Sequence, residues 1–134
     1  MKTAVFTLLF CVAICLCVAC TSSPRVTVTR GDQDTGTLVE LSTGDTLALA
    51  LRANPTTGYG WIIAAVDTTI LRKIDAGYIP DNVPKGIVGS GGRAFLRFEA
   101  TKPGKTAVEL EYKRSWETAQ PPAKTFELDV SVRK

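Results

Sequence analysis

Apolar and polar residues alternate with a period of two in segment after segment of this 134-residue chain. Such alternation is typical of β-strands that cover a core with one face and meet water with the other. Turn signals such as Gly44 with Asp45 and Pro103 with Gly104 separate the segments. The pattern predicts an all-β fold, an immunoglobulin-like β-sandwich of seven or eight strands. The alternating segments are 26–29, 46–51, 93–98, 108–113 and 126–133.

Two stretches depart from this alternation. Residues 61–66 are continuously apolar, which predicts a strand buried on both faces or lying centrally in its sheet. Residues 67–74 can form one helical turn, because Asp67 is a suitable N-terminal cap. The sequence has no helical pattern that is longer than this one turn, so the all-β prediction stands.

The first nineteen residues have the pattern of a secretory signal peptide. Lys2 precedes an apolar run over residues 4–19 that closes on small residues. A retained membrane anchor is the alternative, since the run is only slightly shorter than the ~20 apolar residues a spanning helix needs. We therefore expect a signal peptide at 1–19 and a single domain at 20–134.

All four cysteines of the chain lie in residues 11–20, so a mature chain of 20–134 keeps only Cys20 and can have no internal disulfide. Cys20 follows Ala19 and precedes polar, breaker-rich residues, a context similar to a bacterial lipobox. Lipidation of Cys20 is then expected, and with it membrane attachment. We expect an exported protein, a periplasmic or cell-surface lipoprotein if the source is bacterial and otherwise a secreted one.

Composition excludes several functions. The chain has no histidine, and beyond Cys20 at its extreme terminus the body has no cysteine, which excludes Ser-His-Asp and Cys-His catalysis and thiolate metal sites. The formal net charge is only +3, with acids and bases interspersed, which does not suit a nucleic-acid partner. We expect a soluble monomer that is not an enzyme and that binds no metal or cofactor.

Three connecting segments are too long or too unusual to be simple turns. Residues 54–61 are a stiff loop, because Pro55 fixes φ and Gly58 allows conformations closed to other residues. Taken alone, such a loop is more often a connection than a site.

The second segment, 77–92, is rich in proline and glycine and ends in Gly89, Ser90, Gly91 and Gly92. No lysine and no helix follow, so a phosphate-binding loop is disfavoured. Its bare backbone can instead offer peptide hydrogen bonds to a partner.

The third segment, 113–122, places Trp116 in a polar loop behind Arg114. An indole there either packs back on its own domain or anchors a partner.

Together and in this order, the three segments resemble the loops of the chagasin family of cysteine protease inhibitors. That family carries an NPTTG-type motif, a GxGG motif and an RPW-like motif. Residues 54–61 match the first closely, residues 89–92 match the second in full, and Arg114-Ser115-Trp116 matches the third except at its middle residue. Each motif alone is weak, but three in order are specific.

The resemblance implies an immunoglobulin-like fold and reversible, tight binding of papain-like proteases. It implies that Thr56 and Thr57 enter the catalytic cleft, that the glycine-rich loop lies along one side, and that Trp116 packs on the other. An exported adhesive or structural immunoglobulin-like module is the alternative function. The protease-binding residues that the resemblance implies are Asn54, Pro55, Thr56, Thr57, Gly58, Tyr59, Gly89, Ser90, Gly91, Gly92, Arg114 and Trp116.

Overall fold

The computed structural model describes residues 24–134, so the signal peptide and Cys20 lie outside the described residues. Within that part of the chain, eight strands and two short 3₁₀ turns follow one another. The strands are β1 (Thr27–Gly31), β2 (Thr37–Ser42), β3 (Thr46–Ala53), β4 (Tyr59–Ala65), β5 (Leu71–Pro80), β6 (Gly92–Ala100), β7 (Gly104–Arg114) and β8 (Lys124–Arg133).

The strands form two four-stranded sheets, with orders β1-β3-β6-β5 and β2-β8-β7-β4. β1 pairs with β3, and β2 with β8, in parallel; the other neighbours are antiparallel. The two sheets pack face to face. The all-β sandwich of seven or eight strands is thereby confirmed.

The core comes from the alternation in the sequence. Leu47, Leu49 and Leu51 of β3 are fully buried, and the residues between them are only half-buried. β8 repeats the pattern from Phe126 to Val132. Such stripes from both sheets meet in one apolar cluster, and no side chain with a polar or charged group other than Tyr112 is buried in residues 24–134.

The prediction of a buried or central strand at 61–66 is wrong. β4 is the edge strand of its sheet, and Ala64 and Ala65 are exposed. Trp61 and Ile63 pack against the core from one face, and Val66 does so again beyond a register shift between Ile63 and Ala65. The run is apolar because one face is buried, while the other carries small or partly covered side chains.

The predicted helical turn at 67–74 is right only at its start: the Asp67 carbonyl accepts from the N–H groups of Ile70 and Leu71, at 3.1 and 2.9 Å, but no helix follows. The Asp67 carboxylate accepts hydrogen bonds from the backbone N–H and hydroxyl of Thr69, and β5 begins at Leu71. The hydroxyl of Thr69 lowers the pKa of Asp67, with its backbone N–H adding to the effect. Asp67 therefore caps a single turn, as predicted, but a strand and not a helix follows it. Residues 24–134 contain no helix long and apolar enough to cross a membrane.

The topology brings three connections to one end of the sandwich. The loop at 54–58 joins β3 to β4, the loop at 81–91 joins β5 to β6, and the loop at 115–123 joins β7 to β8. The register pairs Ala53 with Gly92, and Tyr59 with Arg114, so the strand ends that carry these loops are level. We call them the threonine loop, the glycine loop and the tryptophan loop.

Candidate functional site

The threonine loop is a compact turn with its own internal hydrogen bonds. Asn54 is extended, residues 55–57 form one 3₁₀ turn, and Gly58 has φ of 81°. Proline suits the first position of such a turn, and glycine suits the left-handed position that closes it. The motif Asn-Pro-Thr-Thr-Gly thus specifies this shape locally.

Two threonines stand exposed at the tip of this loop. The Thr56 hydroxyl donates to Asn54 Oδ1 at 2.6 Å, and the Thr57 hydroxyl donates to the Asn54 carbonyl at 2.7 Å. Each hydroxyl folds back on the turn, so the methyl groups and the backbone remain to face a partner. The loop is stiffened by both side chains.

The glycine loop is shorter than the sequence predicted. The prediction of a loop over 77–92 is wrong at both ends, because β5 continues to Pro80 and β6 begins at Gly92. Gly92 is buried in that strand pair, and a Cβ there would lie 2.2 Å from the Ile79 carbonyl oxygen. Close strand packing therefore accounts for glycine at position 92.

The glycine loop is held at its base and near its end. Asp81 accepts from Arg52 Nη1 at 2.8 Å and donates its N–H to the Gly91 carbonyl at 3.0 Å. Asn54 Nδ2 donates to the Gly89 carbonyl at 3.1 Å, which ties this loop to the threonine loop. Gly89 and Gly91 have φ of 74° and 78°, values that favour glycine.

Two aliphatic side chains on the glycine loop were missed by the sequence reading. Val88 is 92% exposed and Ile87 is 55% exposed, next to the half-buried Ser90. The only sequence signal was an apolar pair inside a polar, glycine-rich stretch. The loop therefore presents apolar side chains as well as bare backbone.

The tryptophan loop flanks the threonine loop on its other side. Arg114 Nε donates to the Thr57 carbonyl at 3.0 Å, and its guanidinium carbon lies 4.5 Å from the centre of the Tyr59 ring. Glu117 accepts from Arg114 Nη1 at 3.0 Å. Arg114 is thus a structural link between two loops, held in place by an acid and an aromatic face.

Trp116 rests one edge of its ring on Gly58 and leaves the rest in solvent. A Cβ at Gly58 would lie 2.5 Å from Trp116 Cη2, so only glycine leaves room for the ring. The side chain is nevertheless 67% exposed. Packing on its own domain fixes the direction of the indole but covers little of it.

A groove of about 460 Å³ opens among the loops. Tyr112 lies in it, stacked with Tyr59 at 5.4 Å between ring centres and tilted against Trp61 at 5.1 Å. The sequence reading missed Tyr112, Arg52 and Lys124 as parts of this end, because their place depends on strand register. Lining the groove are Arg52, Ala53, Asn54, Thr57, Tyr59, Ser90, Gly91, Tyr112, Arg114 and Lys124.

The structure brings all twelve residues implied as protease contacts to this end of the sandwich. They do not all have the same exposure: Pro55, Thr56, Thr57, Gly89 and Trp116 are exposed, whereas Gly91 and Gly92 are buried. The threonine loop stands in the middle, bonded to the glycine loop through Asn54 and to the tryptophan loop through Arg114. The site is therefore a ridge of three linked loops.

Ser115 stands in a turn that suits proline. The Glu117 N–H donates to the Arg114 carbonyl at 3.1 Å, which puts Ser115 at the second position of a four-residue turn. For the protease binding that the resemblance implies, we expect Ser115→Pro to tighten affinity two- to fivefold, or roughly 0.4–1 kcal/mol, by ordering the loop before binding.

That gain should appear in the dissociation rate measured by surface plasmon resonance, because ordering a small loop leaves the encounter rate almost unchanged. Ser115→Ala is the matched control and should bind as the parent does. Weaker binding by the proline variant would mean that the Ser115 amide or its backbone angle is needed in the complex.

A protein-family model described as the chagasin family of peptidase inhibitors matches residues 40–130. Amoebiasin-1 of Entamoeba histolytica is 29% identical over 102 residues, which cover 76% of this chain and 96% of that protein. The crystal structure of a cysteine protease inhibitor from Entamoeba histolytica matches with a TM-score of 0.75 and 25% identity, over 83% of this chain and 100% of that chain. Leishmania mexicana ICP matches with a TM-score of 0.54 and 27% identity, over 72% and 86%.

Proposed function

This chain belongs to the chagasin family of peptidase inhibitors, and we propose that it inhibits papain-like cysteine proteases by laying its three loops across the active cleft. The family is one of inhibitors, so the chain is not an enzyme. A solved relative is described as a cysteine protease inhibitor, which supports the same partner here. The observation that carries the mechanism is the central position of the threonine loop, bonded to a neighbouring loop on each side.

A ridge of this shape suits a cleft. The threonine loop enters at the centre, the glycine loop follows one wall, and the tryptophan loop covers the other. Because both flanking loops are already hydrogen-bonded to the central one, little conformational freedom is lost on binding. The contact surface expected for such a complex is ordinary, roughly 1,600 Å² in total.

The hydrogen bonds of the threonine loop also suggest why it is not cut. The Asn54 carbonyl accepts from the N–H and hydroxyl of Thr57, and the Pro55 carbonyl accepts from the Gly58 N–H. The Thr57 carbonyl accepts from Arg114. These carbonyls are held in a turn by the inhibitor itself, so they are not free to enter an oxyanion hole in the geometry that catalysis requires.

Steady-state kinetics test the proposal. Purified protein should inhibit papain competitively against a small fluorogenic peptide, and the inhibitor recovered afterwards should have its original mass. If papain still hydrolyses the peptide at its full rate in micromolar protein, inhibition is contradicted and the adhesive or structural module becomes the favoured function.

We propose further that the mature protein is an exported monomer and that, in a bacterial source, it is attached to a membrane through lipidated Cys20. The lipobox-like context of Cys20 and the apolar run before it support this. Labelled palmitate should enter the parent and not Cys20→Ser, and only the parent should sediment with membranes. Unlabelled parent, together with unchanged fractionation of the serine variant, would exclude the anchor.

A further inference from the structure

One tyrosine hydroxyl at the base of the loops is placed to fix two of them. Tyr112 of β7 is only 8% exposed, and its Oη accepts a hydrogen bond of 2.8 Å from the backbone N–H of Asn54. The bond crosses from one sheet to the other, since Asn54 follows β3. It is therefore a tertiary contact that the turn motif itself does not supply.

The position of this hydroxyl is set by packing. The Tyr112 ring lies against the rings of Tyr59 and Trp61, and Trp61 Nε1 donates to the Arg52 carbonyl at 3.0 Å. An aromatic side chain packed against two other rings has little freedom to rotate. The acceptor is thus held still beneath the loop.

Asn54 is where the two loops meet. Its side chain accepts from the N–H and hydroxyl of Thr56, and donates to the Gly89 carbonyl. Its own N–H is the last one before Pro55, which has none to donate. Whatever fixes the Asn54 amide therefore fixes the start of the threonine loop and the end of the glycine loop together.

We propose that Tyr112 is a positioning residue of the inhibitory site, whose hydroxyl holds Asn54 and thereby sets both loops before the protease arrives. The proposal rests on the proposed function. Tyr112 is only 8% exposed, so its hydroxyl acts through Asn54 and not as a main contact with the enzyme. Its loss leaves the half-buried Asn54 N–H without its acceptor and lets both loops move.

The test is Tyr112→Phe, which removes one oxygen and keeps the ring. We expect the inhibition constant for papain to rise about fivefold, or about 1 kcal/mol, with most of the change in the dissociation rate. Thr106→Val is the matched control. It removes from the same strand a hydroxyl that accepts a 3.0 Å hydrogen bond from the backbone N–H of Asp67, outside the three loops, and its variant should inhibit as the parent does.

Hydrogen exchange separates positioning from a general loss of stability. In Tyr112→Phe, amide exchange should quicken in residues 54–58 and 89–91, and stay slow in the centres of β7 and β8. A general structural role would quicken exchange in those strands as well. A Tyr112→Phe protein that does not fold would also overturn the proposal, which assigns the hydroxyl a local role.

A second background checks the route. In a Thr56→Trp protein, whose threonine loop should no longer fit the cleft, adding Tyr112→Phe should raise the inhibition constant less than the fivefold expected in the parent, because only the glycine loop still gains from a fixed Asn54. A full fivefold loss in that background would mean that Tyr112 does not act through the threonine loop and would contradict the proposal. If the parent inhibits papain and Tyr112→Phe has the same inhibition constant, only this inference is refuted. If the parent does not inhibit papain at all, the proposed function is refuted.

Discussion

Replacing Trp116 by alanine is expected to weaken inhibition of papain roughly thirtyfold, or about 2 kcal/mol. The indole is 67% exposed, yet its edge is fixed against Gly58, so it presents a large apolar face in one direction. Covering the rest of it, on the order of 150 Å², corresponds to roughly 3–4 kcal/mol gross. The smaller net figure allows for the costs of association. Inhibition constants for parent and variant measure the effect.

The melting temperature of Trp116→Ala should stay close to that of the parent, because little of the ring is buried in the free protein. Leu38→Ala is a matched control: this residue of β2 is 61% exposed and lies outside the three loops. It should change neither inhibition nor stability. Equal inhibition by Trp116→Ala and parent would make the tryptophan loop peripheral, leaving two loops to account for binding.

Replacing Thr56 by tryptophan should weaken inhibition more than tenfold, a loss of about 1.4 kcal/mol. Thr56 stands at the exposed tip of a turn that is bonded on both sides, so the loop has little room to shift and accommodate a larger side chain. A bulky ring there is expected to collide with the walls of a narrow cleft. Stability should fall little, since position 56 is in solvent.

Two smaller variants separate size from hydrogen bonding at this position. Thr56→Ser keeps the hydroxyl that donates to Asn54 Oδ1 and should inhibit nearly as the parent does. Thr56→Val keeps the size and loses that bond, so a loss of only a few-fold is expected. If the valine variant were as poor as the tryptophan variant, the hydroxyl and not the size of the tip would decide the fit.

Regular alternation allowed most of the fold to be predicted. Residues 126–133 became β8 because Phe126, Leu128 and Val130 each face the core. β5 was missed because its sequence has no such signal: nine of its ten residues are exposed, and a register shift falls between Lys73 and Asp75. It also contains Gly77, where a Cβ would lie 2.6 Å from the Phe95 ring, so only glycine leaves room for that ring.

Only those features of the site that depend on neighbouring residues in the sequence were predictable. The Asn-Pro-Thr-Thr-Gly turn follows from adjacent residues, and so does the left-handed backbone at Gly89 and Gly91. The bonds between loops depend on strand register. No sequence pattern near Asn54 indicates that the hydroxyl of Tyr112, 58 positions away, would reach its N–H. The contact between Trp116 and Gly58 is equally non-local.

Binding to papain with an open or a filled cleft tests the central claim most directly. One sample of papain keeps its free catalytic cysteine, and a second carries a peptidyl group, attached by a chloromethyl ketone, that fills the cleft. If the three loops occupy the cleft, surface plasmon resonance should give tight binding to open papain and at least hundredfold weaker binding to blocked papain. Equal affinity for the two forms would place the contact outside the cleft and contradict the account.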